Sequence, residues 1–430
     1  MKTKKHLFIK TIATCLLLLP LLFSCNEKKE IEEQHLVIWT SCSEFAQYIE
    51  LFNATHQDYH AILVYKSNPA LELPPANDEE TPDIIIGPWL KSERLNTHFK
   101  SLHYLFERQN LSSKSFYPHL LDNGKYKNTQ YLLPVSFNLP TIIFSSDNKE
   151  YVTDSYTLSL DQIRSIGSTF NEKNKSGTYK KMGFVPTNSD DFLYLTTKLY
   201  GANFHNEKSS VVYNKQNLSL TIDSLKDWIN TENTSTETES DFAYKYLFMP
   251  DYRQVTSGRT LFSYTTSDRL FNILHEQDLP IDYRWITDGS TIPLEDNMIM
   301  MGVYKKSQNQ PAASEFITWF FRPENQNEIL SRKNKLNLNT ELFGIAEGFS
   351  SIIEVTEKVF PLYYPQLLSN LPPQNLLGTC PLVPGRWESY KNIVIKPYIR
   401  SSLEHSDDDK IALPTIEELE KEWQKKVFEQ

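Results

Sequence analysis

The 430-residue sequence has no Gly-x-Ser-x-Gly, no His-Glu-x-x-His, no phosphate-cradling glycine loop and no Cys-x-x-Cys. Nucleophilic, metal-assisted, nucleotide and dithiol chemistries therefore lose their usual sequence signals. His56 and His60 stand four apart, but they lie in a turn-rich stretch without a nearby third ligand, so no metal is expected. Cysteine is scarce: Cys15, Cys25, Cys42 and Cys380. A disulfide framework is excluded, and Cys42 and Cys380 either pair or stand as separate buried thiols. Basic charge is also short, with 44 Lys and Arg against 54 Asp and Glu. That balance argues against general nucleic-acid binding, which needs a basic surface. No cofactor is implied.

The only long apolar run opens the chain. Lys2, Lys4, Lys5 and Lys10 precede the apolar segment 11–23. That segment is shorter than the roughly 20 residues a spanning helix needs, and Pro20 interrupts it. It reads as a signal peptide, residues 1–24. Leu22-Phe23-Ser24-Cys25 resembles a lipobox, which makes Cys25 the expected lipidated N-terminus. A polar tether follows over 25–35, too charged to fold. Removing the leader takes away four lysines and no acid, so the formal charge moves from −10 to −14.

The mature chain alternates buried-strand and helix patterns. Leu36 to Trp39 is a continuous apolar run, and Phe45, Ala46, Tyr48, Ile49 and Phe52 then recur at helical spacing. Strand patterns return at Ala61 to Lys66 and at Asp83 to Ile86. This order predicts an α/β sheet, with ligands beyond the carboxyl ends of its strands at Thr40–Ser43 and Gly87–Trp89. Tyr131 to Ser146 holds two short apolar runs separated by a segment bracketed by Pro134 and Pro140. Proline is confined to strand ends, edges and bulges, so this stretch reads as a strand leaving one body and a strand entering another. A proline-flanked loop inside one sheet is the alternative. Further on, Ser159 to Gln162 forms a capping box, a helix over 192–200 stops at Gly201, and 231–240 reads as a solvated loop. Ile416, Leu419, Trp423 and Val427 share one face of a final helix.

The opening from Leu36 to Lys66 resembles a family 1 extracellular solute-binding protein, a receptor of ATP-binding-cassette importers, of which maltose-binding proteins are members. Pro82-Asp83-Ile84 matches the family's "PDI" strand, and Leu133-Pro134 to Phe144 its first hinge crossing. Residues 255–262 match in part the family's glycine-containing signature, and Ala312 to Phe316 with Gln326 a helix pair. The resemblance runs from about residue 36 to 330. It implies an α/β fold of periplasmic-binding-protein type II, its lobes joined by a hinge. The N-terminal lobe is expected at 36–135 and 256–303, and the C-terminal lobe at 136–255 and 304–430. It also implies a monomeric, non-enzymatic receptor that hands a small solute to the importer's membrane subunits, anchored by lipid and facing the periplasm or cell exterior.

Aromatic residues make up 13 % of the chain, and those in inter-lobe loops, with amide and carboxylate neighbours, suit an oligosaccharide. The ligand-facing positions implied by the resemblance are Ser41, Ser43, Glu44, Trp89, Asn138, Asn188, Asp191, Ser267, Asp268 and Asn297, and placement in the inter-lobe loops adds Tyr194 and Trp387. Gly87 stands where maltose-binding proteins carry an aromatic, and Asn138 where they carry an acid, so the pattern departs from a maltose site. Asp190 and Asp191 with Glu295 and Asp296 are candidate carboxylates for the alternative, a surface glycan hydrolase. A lipoprotein for adhesion or sensing on the same fold is a further alternative.

Overall fold

The computed structural model describes residues 34–152, 156–207, 210–336, 342–405 and 412–428. Cys25, the leader and most of the tether lie outside them. No described helix is long and apolar enough to cross a membrane.

Along the chain run β1 (Gln34–Thr40), α1 (Phe45–Thr55), β2 (Tyr59–Tyr65), β3 (Ile84–Gly87), α2 (Pro118–Asn123) and β4 (Leu133–Phe137). Next come β5 (Pro140–Ser145), β6 (Thr157–Ser159), α3 (Leu160–Ser168), α4 (Asp190–Leu199), α5 (Thr236–Lys245) and β7 (Ser263–Thr266). Then follow α6 (Ser267–Glu276), β8 (Ile281–Thr287), β9 (Ile299–Val303), α7 (Gln310–Phe320), α8 (Pro323–Lys335), β10 (Phe349–Ser350) and α9 (Ile416–Phe428). They form a six-stranded sheet, ordered β10-β4-β9-β3-β1-β2, and a four-stranded sheet, ordered β7-β5-β8-β6.

The two-sheet architecture follows from the proline-bracketed stretch. β4 pairs with β9 in the first sheet and β5 with β7 and β8 in the second. Pro134, which has no N–H to donate, sits where the β4–β9 register shifts, so the ladder loses little there. In the first sheet β1 pairs in parallel with β2 and β3. Asp83 fixes that edge: its carboxylate accepts from Val37 N at 3.0 Å and from Ser307 Oγ at 2.6 Å. The helix capping box at Ser159 and Gln162 forms as its spacing implies. Gly201, at φ +75°, follows α4 in the left-handed conformation that glycine adopts without strain.

Three expectations are corrected. β7 and β8 belong to the second sheet, whereas 256–303 was assigned to the N-terminal lobe; only β9 returns to the first. α7, expected in the C-terminal lobe, packs on the first sheet's helix. Phe52 meets Phe316 and Trp319 at 5.1 and 5.4 Å between ring centroids. The apolar face of α7 completes the core over α1, and that pairing is not visible in local periodicity. Residues 236–240, expected as loop, form the first half of α5. Ser235 caps it by accepting from Thr238 N at 3.2 Å, and Glu239 is buried with Asn233 and Thr187 as partners. Asn233 and Glu239 are buried against each other in a stretch otherwise exposed or half-buried, so its composition still reads as solvated.

The bodies share core. Phe271 of α6 stacks on Phe343 at 4.9 Å and meets Phe349 of β10 at 5.8 Å, so the second sheet's helix packs on the first sheet's edge strand.

Candidate ligand-binding site

The carboxyl ends of β1 and β3 supply one wall of the crevice between the bodies. Ser41 is half-buried beside Gly87, where a methyl group would come within 3.4 Å of Ser41 Oγ and 3.2 Å of Pro69. The chain then turns through Trp89 at φ +57°, a strained conformation for a bulky residue. This turn lays the half-buried indole against the cores of both bodies. Its Nε1 is buried and has no partner. Lys91 follows, half-buried, and burial pushes its amine below the ordinary range. Asn68 Nδ2 donates to Gly385 O at 2.8 Å, which joins the rim of the first body to the segment before Trp387.

The opposite wall centres on Asp296, a residue the sequence offered only as a hydrolytic carboxylate. Its Oδ2 accepts from Tyr194 OH at 2.8 Å and from Trp387 Nε1 at 2.7 Å. Lys198 Nζ lies 2.6 Å from Oδ1 as an ion pair, and donates to Leu294 O at 2.7 Å. Lys198 and Lys391 both stand over the Tyr194 ring, at 5.3 and 5.4 Å. Burial alone would raise the Asp296 carboxyl; the two ammonium groups outweigh it and hold the group below its ordinary value. Glu295 beside it is pushed up by burial and by Asp296, against the same lysines. Lys198 was missed, although it lies four residues after Tyr194 on one face of α4, and Lys391 lies likewise four after Trp387.

Asp296→Asn is expected to lower the melting temperature at neutral pH, because Lys198, its side chain 15 % exposed, would be left largely out of water with a neutral partner. A carboxyl with a lowered folded pKa contributes its full stability above the unfolded value of 3.8 and loses it as pH falls through the folded value. The difference between variant and wild type should therefore narrow as pH drops below that value, which pH-resolved thermal unfolding reads.

The other expected positions divide. Glu44 is not ligand-facing: it is buried, paired with Lys333, and accepts from Tyr48 OH at 3.1 Å and Glu347 N at 3.0 Å. Asn138 and Ser267 bind each other, Ser267 Oγ donating to Asn138 Oδ1 at 2.7 Å while Asn138 Nδ2 donates to Glu347 O at 2.8 Å. Both are buried and lock the chain crossing rather than face a crevice. Asp191 pairs with Lys396 at 2.6 Å, and Asn188 donates to Asp251 Oδ1 at 3.3 Å. Asp268 is half-buried at the start of α6, and Ser43 and Asn297 are exposed. Tyr194 and Trp387 are brought together, and both are buried. Cys42 and Cys380 are separate free thiols, each pushed up to about 12 by burial. Among the described residues no group of three side chains suits a metal ion.

Tyr194 and Lys198 also wall a cavity of about 750 Å³ that His119, His205 and Asp288 share. Neither 40–44 nor 87–91 reaches it, so it lies apart from the strand-end loops.

No protein-family model matches the chain, and no curated protein matches it. Solved structures do. CpMnBP1 with mannotriose bound aligns with a TM-score of 0.58 at 14 % identity, over 91 % of this chain and 99 % of that one. The fold is that of the ABC substrate-binding proteins. Maltose-binding periplasmic protein MalE from Listeria monocytogenes, in complex with maltose, aligns at 0.57 and 12 % identity over 93 % and 99 % of the two chains. The cyclic α-maltosyl-1,6-maltose binding protein from Arthrobacter globiformis gives 0.57 and 14 % over 86 % and 94 %. In a substrate-binding-protein fold the crevice between the bodies is the place to expect a ligand, and here Trp89 packs against the cores of both bodies.

Proposed function

We propose that this protein is a lipid-anchored, extracytoplasmic solute-binding receptor that takes an oligosaccharide between its two bodies and hands it to the membrane subunits of an ABC importer. One observation carries the reading. The strand-end loop bearing Trp89, with an unsatisfied indole N–H, meets a second body whose Trp387, Tyr194, Asp296 and Lys198 form a polar aromatic cluster. Aromatic faces bind the C–H patches of a sugar, and carboxylate and amide groups bind its hydroxyls. Access requires the bodies to part at the segments linking β4 to β5, β8 to β9 and β10 to the helical turn at Trp387, a hinge motion. Asp296 is held by Lys198, Tyr194 and Trp387, which suits a fixed binding group more than a carboxylate that must trade protons.

Two experiments test this. Solute should lower the radius of gyration in solution scattering and raise the melting temperature, with stabilisation of about 2.7 kcal/mol at a hundred times the dissociation constant. A thermal shift without compaction would contradict the hinge. Cys25→Ala should abolish incorporation of labelled palmitate and leave the protein uncleaved or soluble. Wild-type protein that never takes up lipid would remove the anchor from the proposal.

A further inference from the structure

A compact apolar feature lies outside the crevice wall described above. Around the end of α5, Tyr244, Leu247 and Phe248 are 77, 64 and 96 % exposed. They are held outward by a built turn. Phe242 and Tyr246 pack inward with Tyr179, Met182 and Val185 as a small core of their own. Met249 N donates to Tyr246 O at 2.7 Å, and Gln254 Nε2 to Met249 O at 3.0 Å. Large apolar groups clustered in water mark an interaction site.

The surroundings say which kind. The hairpin at 172–181 carries four lysines and one acid, and Lys245 joins it to the turn by donating to Tyr179 O at 3.5 Å. The Arg259 guanidinium stands 5.6 Å from the Tyr246 ring. Residues 172–181 and 235–259 together hold seven basic and five acidic residues, whereas the whole chain has a net charge of −10. One of those acids, Glu239, is buried and bound to Asn233 and Thr187. A second copy of this chain would bring the same excess of cations face to face, which disfavours self-association there. Aromatic and aliphatic tips beside a lysine-rich hairpin, in which Lys180 and Lys181 share Glu172, match a surface of anionic headgroups over hydrocarbon.

We infer that the turn carrying Tyr244, Leu247 and Phe248 is a docking tip for an anionic lipid bilayer. The tip sets the second body on the membrane surface independently of any lipid at Cys25. With a lipid at Cys25, this turn would give the receptor a second attachment and a fixed orientation.

The test uses the chain from Gln34 onward, which keeps every described element and lacks both leader and Cys25. It is floated with vesicles of phosphatidylcholine alone or mixed with phosphatidylglycerol. Binding is expected to the mixed vesicles only, and to weaken as salt rises. Leu247→Ser with Phe248→Ser should weaken it at least about tenfold, since each buried side chain contributes more than one factor of ten in affinity. Melting temperature should be unchanged, because both side chains are exposed. Lys175→Glu with Lys245→Glu should weaken it too. No vesicle binding by the wild type, or equal binding by the serine variant, overturns the inference. So does a dimer in sedimentation that the serine variant dissolves, which would assign the surface to a second copy. The assay contains no solute, so its failure is distinct from a failure of solute binding.

Discussion

Trp89→Ala is expected to weaken solute binding tenfold to a hundredfold in calorimetry while far-ultraviolet circular dichroism stays unchanged. The residue sits at the carboxyl end of β3, half-buried, with its ring against both cores and its N–H unpaired. Burying a large apolar side chain contributes about 1.5–3 kcal/mol, and each 1.4 kcal/mol is about tenfold in affinity. A ligand hydroxyl that accepts from Nε1 would add to this, because a buried unpaired donor costs about 1–3 kcal/mol. Phenylalanine should restore the stacking part and not the hydrogen bond, giving an intermediate affinity. Equal affinity in wild type and Trp89→Ala would reduce the tryptophan to packing between the bodies.

The second large effect concerns stability. Lys333→Ala should cost about 3–5 kcal/mol in denaturant unfolding, the range for breaking a buried ion pair by removing one partner. Both side chains of the Glu44–Lys333 pair are 2 % exposed. Lys333 also donates to Leu342 O at 3.0 Å and Gly344 O at 2.9 Å, so it ties α8 to the segment that leads into β10. Its loss would leave the Glu44 carboxylate buried with only Tyr48 OH and Glu347 N. Glu44→Gln combined with Lys333→Met should cost less than Lys333→Ala alone, because no uncompensated charge remains. A single variant as stable as wild type would show that the pair is open to water.

These two residues also mark how far the sequence could be read. The strand runs at Leu36 to Trp39 and Asp83 to Ile86 were legible because a strand buried on both faces is continuously apolar. Pro134 and Pro140 made the passage between sheets legible, since proline removes a ladder donor. The return path was not. β7 is short, and nothing in Ser263 to Thr266 says which sheet its backbone will join. Local pattern places a residue on a face; partner choice is decided by long-range packing such as Phe52 on Phe316 and Trp319. The site divides in the same way. The place of Trp89 directly after a strand was legible. Glu44 was not recognisable as structural because its partner, Lys333, lies 289 positions away. Asn138 and Ser267 read as cleft residues and prove to be each other's partners at the crossing. Asp296 was legible as a carboxylate but not as the centre of a cluster assembled from α4 and the helical turn at Trp387.

The most direct test of the receptor reading is native mass spectrometry of the protein purified from its own cells without refolding. The account predicts an added mass that fragments into sugar units and is lost in Trp89→Ala. Protein that carries no such mass and also fails to bind any member of an oligosaccharide panel, or an adduct that persists unchanged in Trp89→Ala, would contradict it.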